Sequence, residues 1–287
     1  MIYLGFAFLT ALFESLKDLT GKLGLGHFNE YFISWALTVA ALPILLPFLF
    51  FIEIPELNGT FYKALLAGGS LNAVSLLLYM RAIRISDLSV TIPMITFTPL
   101  FLLLTSPFMV GEYPSTLGVF GVLLIVFGSY MLNINQRGEG FWAPFKALVK
   151  DPGPRLMLLV AFIWSFTANI DKIGVQNSSP VFWSIAITCF LAAALFLPML
   201  IYSKQTPRQV LKQSKYLIPL GIFNALTLLT QMAAINFVLV AYVISIKRGS
   251  AILSVCWGYL FLNEKGIRER LVGVIIMVAG VFLITLS

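Results

Sequence analysis

The sequence predicts an all-α membrane protein with ten transmembrane helices arranged as two inverted five-helix repeats. Three observations lead to this fold class. Hydrophobic residues make up 59% and charged residues 11% of the 287 positions, whereas a soluble domain is about half apolar and about a quarter charged. Apolar runs of about 20 residues, the length that spans a bilayer, recur from end to end. The second half of the chain also repeats features of the first half at a constant offset.

Ten predicted spans follow from the apolar runs and the polar residues that separate them. The connections between them are too short to hold a separate soluble domain. The longest connection, residues 136–154, is predicted to be a cytoplasmic linker with a short interfacial helix. The spans are Ile2–Thr20, Tyr31–Ile52, Phe61–Ile83, Leu88–Met109, Thr116–Asn133, Leu156–Gly174, Val181–Tyr202, Leu217–Phe237, Leu239–Leu262 and Leu271–Leu286.

An internal repeat relates the two halves of the chain. An offset of 152 residues superimposes "GGSLNAVSLLLYMRAI" on "LGIFNALTLLTQMAAI" and pairs Asn72 with Asn224. We therefore predict one repeat over residues 1–135 and a second over residues 155–287. Because each repeat holds an odd number of spans, the second must enter the membrane from the opposite side. Inverted repeats are typical of secondary transporters, whose substrate sites lie near the bilayer midplane.

The lysines and arginines give the predicted orientation. Fifteen of the 19 lie in the loops after spans 1, 3, 5, 7 and 9 or at the adjoining helix ends, whereas the opposite loops hold Lys63 and Lys172. By the positive-inside rule the first set of loops is cytoplasmic, so both termini are predicted on the non-cytoplasmic side. We expect a multi-pass protein of the plasma or inner membrane.

The other two cations, Lys247 and Arg248, lie inside the apolar run "AYVISIKRGSAILSVCWGYLF". Lys247 is eight residues after Leu239, roughly 12 Å along the helix and near the middle of the membrane. A charge there costs about 2.5–3.5 kcal/mol or more, so it is expected to face a cavity or a partner. We predict contact with a substrate or a coupling ion; the alternative is a buried ion pair that only fixes helix packing. The offset pairs these residues with Ile95 and Thr96, so the first repeat carries no charge there.

Span 1 supplies acidic residues of opposite charge. In "TALFESLKDLTGK", polar residues and a glycine lie on one helix face. Glu14 is predicted at the depth of Lys247 and is expected to pair with the cations of span 9. It is either a proton-coupling carboxylate or a counter-ion, depending on whether burial or a neighbouring cation dominates. Asp18 is the second coupling candidate, although it and Lys17 are also consistent with a solvated cluster. The residues of this face are Thr10, Glu14, Lys17, Asp18 and Gly21.

Other polar and aromatic residues inside the spans are weaker candidates. Asn72 and Asn224 are predicted to hydrogen-bond between helices as structural residues. Pro93 and Pro99 predict a bend in span 4. The remaining candidates for substrate contact are Tyr79 and Gln231, which share a repeat position, and Trp164 and Asn169 in span 6.

The ends of the two repeats carry a resemblance to a known family. "GEYPSTLGVFGVLLIVFGSYML" and "NEKGIRERLVGVIIMVAGVFLI" each contain a glutamate, a short turn and a glycine-rich helix. With the repeat, they resemble the EamA-type ten-helix members of the drug/metabolite transporter superfamily. The resemblance implies that helices 1–4 and 6–9 surround a central cavity and that small organic solutes move by alternating access. Helices 5 and 10 are then scaffold, in which small residues allow close approach: Gly121, Gly128, Gly273 and Gly280.

A narrower similarity concerns the cation pair. The sequence around Lys247 and Arg248, with its closing "NE", is similar to the plastid sugar-phosphate translocators. In that branch a lysine–arginine pair of helix 9 binds the substrate phosphate. The similarity implies an anion-binding role for Lys247 and Arg248.

The function that these observations predict is secondary-active transport of a small organic solute, with an anionic or zwitterionic metabolite favoured. The alternatives are a broad-specificity exporter of apolar compounds or amino acids, and a non-transporting lipid-handling or regulatory membrane protein. An enzyme is not expected, because the spans contain no serine–lysine or paired-aspartate arrangement at suitable depth; no cofactor or metal is expected either. The predicted partners are the lipid bilayer and a small-molecule substrate, with proton coupling or exchange, no nucleic acid, and a monomer or homodimer as the working unit.

Overall fold

The computed structural model describes residues 2–85, 94–134, 142, 146, 150–250, 252–253 and 267–287. Within these ranges the ordered elements are helices and no strand is present, which confirms the all-α prediction there. A 3₁₀ helix, Leu46–Phe50, follows α3. The α-helices are α1 (Ile2–Leu25), α2 (Glu30–Val39), α3 (Leu42–Leu45), α4 (Gly59–Ile85), α5 (Thr98–Val110), α6 (Thr116–Ile134), α7 (Pro152–Gln176), α8 (Pro180–Tyr202), α9 (Pro207–Lys212), α10 (Ser214–Phe237), α11 (Val240–Lys247) and α12 (Ile267–Thr285).

Several helical segments have the length and composition of membrane spans, as expected for a multi-pass membrane protein. The total of ten spans stays a prediction, since parts of spans 4 and 9 lie outside the described residues. Most of the predicted interfacial helix of the linker lies outside them too. Among the described residues, five segments are long and apolar enough to cross a bilayer: Glu30–Phe50, Gly59–Ala82, Pro152–Gln176, Pro180–Tyr202 and Ser214–Phe237. Thr98–Val110, Thr116–Met131 and Val272–Thr285 are shorter apolar helices.

Span 2 differs from the single helix predicted for it. The helix stops at Val39, and the chain continues through a turn into α3 and the 3₁₀ helix. Pro43 and Pro47 explain the interruption, because proline has no N–H and its ring clashes with the carbonyl four residues earlier. At the turn, the N–H of Ala41 bonds to the carbonyl of Thr38 at 3.2 Å instead of continuing the α-helical pattern.

The described chain folds into two compact units, each of which combines residues from both predicted repeats. Residues 1–77 and 170–237 form the first unit, and residues 78–169 and 238–287 form the second. α4 passes from the first unit into the second, and α7 passes from the second back into the first. The sequence repeat and the packing units are therefore different divisions of the chain.

In the first unit, α1 packs antiparallel along α10. The Thr10 hydroxyl donates to the hydroxyl of Thr230 at 3.0 Å, and a side chain on Gly21 would contact Leu220. A Cβ on Gly221 would lie 2.3 Å from the carbonyl oxygen of Ala40, at the turn that interrupts span 2. That turn therefore packs directly against the backbone of α10.

In the second unit, α6 and α12 pack together through the glycines of the two sequence signatures. A Cβ built on Gly121 would lie 2.8 Å from the carbonyl oxygen of Gly280, and a Cβ on Gly280 would lie 2.6 Å from that of Gly121. About two helical turns further along α6, a Cβ on Gly128 would lie 2.7 Å from the carbonyl oxygen of Gly273. The two backbones touch, as expected where small residues bring membrane helices together.

Candidate functional site

Two helical segments of the second unit are interrupted inside apolar sequence, at positions that the 152-residue offset relates. In span 4 the chain turns at Thr96 and Phe97, and α5 begins directly after this turn. In span 9 the chain turns at Arg248 and Gly249, directly after α11. The offset pairs Thr96 with Arg248 and Phe97 with Gly249. The two turns are therefore equivalent features of the two repeats.

Each turn has a local cause that an apolar composition does not reveal. Pro99 lies in the first turn of α5, where the backbone N–H would have no partner within the helix. Proline also disfavours the α-helical conformation of the residue before it. At the second turn, a Cβ on Gly249 would lie 2.8 Å from the carbonyl oxygen of Ile246, so a larger residue would strain the turn. Pro93, the other residue predicted to bend span 4, lies outside the described residues. Interrupted helices are typical of binding sites in transporters, because their ends present backbone dipoles to a ligand.

Arg248 connects the two turns. Its Nη2 donates to the hydroxyl oxygen of Thr98, the first residue of α5, at 3.1 Å. The Thr98 hydroxyl donates in turn to the carbonyl of Ile95 at 2.7 Å, which leaves its oxygen facing the guanidinium. The guanidinium carbon also lies 5.7 Å from the centroid of the Trp164 ring. Such a cation–π contact contributes about 0.5–2 kcal/mol, so Arg248 is oriented from two directions.

An aromatic pair lies beside this guanidinium. The Trp164 and Tyr79 rings are 5.4 Å apart at an angle of 31°. Both rings and Arg248 are half-buried, so they join the core without being closed off completely. The structure thus brings together three residues predicted for substrate contact, over a core cluster that consists of Ala82, Met94, Ile95, Tyr130, Met157 and Val160.

Two cations and a helix N-terminus lie at this site. A helix N-terminus carries a partial positive charge of roughly half a unit, and α5 begins at the residue that Arg248 contacts. Lys247, half-buried at the end of α11, is adjacent in the chain. A guanidinium beside a helix N-terminus is a donor set that suits a carboxylate or phosphate oxygen.

Asn169, also predicted to contact substrate, is committed to helix packing in this structure. It is completely buried. Its amide nitrogen donates to the Thr105 hydroxyl at 3.0 Å and to the Ser165 carbonyl at 2.9 Å. Its amide oxygen accepts from the Ser106 hydroxyl at 2.8 Å. Asn169 therefore ties α7 to α5 and supports the helix that begins at the site.

The acidic candidates lie in the first unit. Glu14 is buried and forms an ion pair with Lys17 one turn further along α1. Asp18 is exposed. Gln231, a predicted substrate-contact residue, also belongs to this unit and is buried in α10. The Lys17 ammonium offsets part of the cost of burying the Glu14 carboxylate. The expected pairing of Glu14 with the cations of span 9 stays a prediction.

The two repeat-related asparagines have different surroundings. Asn224 is buried, and its amide donates to the carbonyl of Leu37 at 3.1 Å. This bond joins α10 to α2, the structural role expected for it. Asn72 is half-buried in α4, and its backbone carbonyl accepts from the Ser75 hydroxyl at 3.0 Å.

Sequence reasoning missed Thr98, which orients Arg248. Two weak signals point to it: it precedes a proline in an apolar run, and the offset pairs it with Ser250, another hydroxyl residue just after a turn. Neither signal reveals that an arginine 150 residues away in the chain reaches its oxygen. That contact depends on how the helices of the second unit pack.

Comparisons with known proteins bear on the fold and the family. The model of the EamA-like transporter family matches residues 1–134 and 152–286. A solved structure described as "Crystal structure of protein" is similar, with a TM-score of 0.80 and 16% sequence identity over 98% of this chain and 95% of that chain. At this identity the likeness concerns the fold alone. No curated protein matches the sequence.

Proposed function

Since the chain belongs to the EamA-like transporter family, as its sequence resemblance predicts, we propose that it is a secondary-active transporter of a small organic anion or zwitterion. Membership alone makes it a membrane transporter of small molecules. The observation that supports the anionic cargo is the contact between Arg248 and Thr98, which joins two equivalent helix interruptions. The cargo's carboxylate or phosphate accepts from Arg248, while Lys247 and the start of α5 add positive charge.

The packing of Arg248 suits this role. A guanidinium presents its donors in a planar fork that matches a carboxylate or phosphate. The Trp164 face and the Thr98 hydroxyl hold the fork in one orientation before the cargo arrives. Ordering the side chain in advance lowers the entropy lost on binding. The half-buried surroundings also weaken competition from water for these hydrogen bonds.

We propose that the ten spans carry the cargo by alternating access between two inverted repeats. The driving force in this proposal is a gradient, with the proton as the candidate ion, or exchange; the given sequence contains no nucleotide-binding motif. Within α1, the pairing of Glu14 with Lys17 supports a counter-ion role for Glu14. Transport that keeps its pH dependence in Glu14→Gln would support this role, whereas loss of that dependence would favour a proton-carrying carboxylate.

A ligand-binding measurement tests the anionic cargo. Purified protein is heated with increasing concentrations of phosphorylated sugars, amino acids, other carboxylates and neutral amphipathic compounds. A ligand that binds the folded protein raises the melting temperature in a concentration-dependent way, from which Kd follows. The variants are Arg248→Ala and Arg248→Lys, with Arg155→Ala as the control because Arg155 is an exposed arginine of the same unit.

We expect one anionic class to stabilise the wild type and Arg155→Ala alike. Arg248→Ala is expected to weaken its binding by about 2–3 kcal/mol, roughly 30–150-fold, because charged hydrogen bonds are lost. Arg248→Lys keeps the charge without the planar fork, so we expect an intermediate affinity. Stabilisation by neutral amphipathic compounds alone, unaffected by Arg248→Ala, would contradict the proposal and favour an exporter of apolar compounds.

A further inference from the structure

A buried carboxylate caps the helix that carries the cation pair. Glu112 follows Gly111, which ends α5 in the left-handed conformation with φ of 66°. Its exposed fraction is 8%, and its Oε2 accepts the backbone N–H of Val240 at 2.7 Å. Val240 is the first residue of α11 and is completely buried. The glutamate therefore reaches from the end of one helix to the start of another within the second unit.

The chemistry of this contact is that of a charged helix cap. The first N–H groups of a helix have no partner within the helix, and a buried one is costly unless another group accepts from it. A carboxylate satisfies the N–H and also interacts favourably with the positive end of the helix dipole. Because Val240 is shielded from water, this hydrogen bond satisfies an N–H at the start of α11 that water does not reach.

α11 is short and is held along its whole length. It has eight residues, and the seven from Val240 to Ile246 are buried. On its side, Tyr242 packs against Gly118 of α6 so closely that a Cβ on Gly118 would lie 1.7 Å from the tyrosine oxygen. At its far end, Arg248 contacts Thr98. An eight-residue helix is about 12 Å long, so a shift at its first residue is passed on to the cations.

We propose that Glu112 is a positioning residue for transport, which sets the depth at which α11 presents Lys247 and Arg248 to the cargo. This inference rests on the proposed function. It adds a residue that contacts the first residue of α11, which is about 12 Å from the cations at the other end of the helix. Glu112 has no contact with the cargo in this proposal; it acts only through the helix that it caps. The second signature carries a glutamate too, but Glu264 lies outside the described residues.

The test compares Glu112→Ala and Glu112→Gln with Glu30→Ala. Glutamine keeps an oxygen that accepts from Val240, whereas alanine does not. Glu30 is the matched control, because its exposed fraction is also 8% and it belongs to the first unit, whereas α11 belongs to the second. Two quantities are measured on each folded variant: the Kd of the anion that stabilises the wild type, and hydrogen–deuterium exchange of the backbone amides of residues 240–248.

We expect Glu112→Ala to weaken anion binding about tenfold and to speed exchange in residues 240–248 more than elsewhere in the second unit. Glu112→Gln is expected to stay within about threefold of the wild type in affinity, which a general loss of stability would not reproduce. If Glu112→Ala does not fold, the exchange and affinity of Glu112→Gln measured against Glu30→Ala decide instead. In that case faster exchange confined to residues 240–248 together with an affinity reduced by about two- to threefold supports the inference, whereas exchange and affinity both equal to those of Glu30→Ala overturn it.

The measurements distinguish a failure of the positioning role from a failure of the proposed transport function. If the wild type binds anions and Arg248→Ala does not, while Glu112→Ala binds like the wild type, only the positioning role is overturned. The same holds if exchange in residues 240–248 is unchanged in Glu112→Ala. If no anion binds the wild type, the proposed function is overturned, and the positioning role falls with it.

Discussion

The contact between α6 and α12 gives a quantitative prediction about stability. Gly121 and Gly280 face each other so closely that a side chain on either meets the backbone of the other. We consider Gly121→Ala, Gly280→Ala and the double variant. Gly5→Ala is the control, because Gly5 also lies in a helix but a Cβ there would have no atom within 4 Å.

The magnitude follows from the geometry. The new Cβ would lie 2.8 Å from the Gly280 oxygen in one variant and 2.6 Å from the Gly121 oxygen in the other. Real Cβ contacts are not that short, so the helices must separate by several tenths of an ångström, at about 1–3 kcal/mol. The better helix propensity of alanine offsets about 0.5–1 kcal/mol. Each single variant should therefore lose up to about 2.5 kcal/mol relative to the wild type and about 1–3 kcal/mol relative to Gly5→Ala, which gains the same propensity and should be neutral or slightly stabilised.

The double variant tests whether the two glycines act through one contact. Once the first methyl group has separated the helices, the second finds room that is already open. The losses should therefore fall short of additivity by about 0.5 kcal/mol or more, as for residues in direct contact.

The assay is reversible unfolding in mixed detergent micelles, with thermal melting as a second measurement. For a chain of this size, 1 kcal/mol corresponds to a shift of roughly 2–4 °C. Two results would refute the reasoning. One is that both single variants are as stable as Gly5→Ala, since the backbones would then not touch. The other is full additivity, which would mean that each methyl group acts separately, on Ile284 in one variant and on Ile125 in the other, and not through the shared glycine contact.

Two further predictions concern buried polar side chains. Asn169→Ala should lower the free energy of unfolding by about 1–3 kcal/mol, because two hydroxyl groups of α5 lose their partner; an unchanged melting temperature would show that these groups find other partners. Trp183→Phe should cost a similar amount, because the buried indole N–H donates to Asp171 at 3.0 Å. Trp142→Phe is its control, since Trp142 is 62% exposed, and equal melting of the two variants would contradict the argument.

The ends of the long helices were largely predictable from the sequence. The seventh predicted span, Val181–Tyr202, corresponds to α8, Pro180–Tyr202, and the sixth span corresponds to α7 with a few residues added at each end. Hydrophobic length is a strong signal, because a bilayer requires about 20 apolar residues. The bend predicted for span 4 from its prolines corresponds to the turn at Thr96 and Phe97. The interruptions of spans 2 and 9 were not predicted, because the residues that cause them leave the apolar run intact.

The candidate site was predictable in part. Arg248 stands out because a charge in an apolar run needs an explanation, and the repeat drew attention to Tyr79. The partner hydroxyl of Thr98 and the cap by Glu112 were not predictable, because each contact joins segments more than 100 residues apart. Such contacts follow from packing, which neither periodicity nor composition records.

The two repeats share the interruption of the helix but not the charged side chain beside it. The offset relates the two turns residue by residue, so the interruption of the helices belongs to both repeats. The charge belongs to one of them: Arg248 stands where the first repeat has the buried Thr96. A second arginine at Thr96 would add a third cation to this half-buried region, where repulsion is large. The two adjacent cations, Lys247 and Arg248, therefore lie at the interruption of one repeat only, where they can act on the same anionic group.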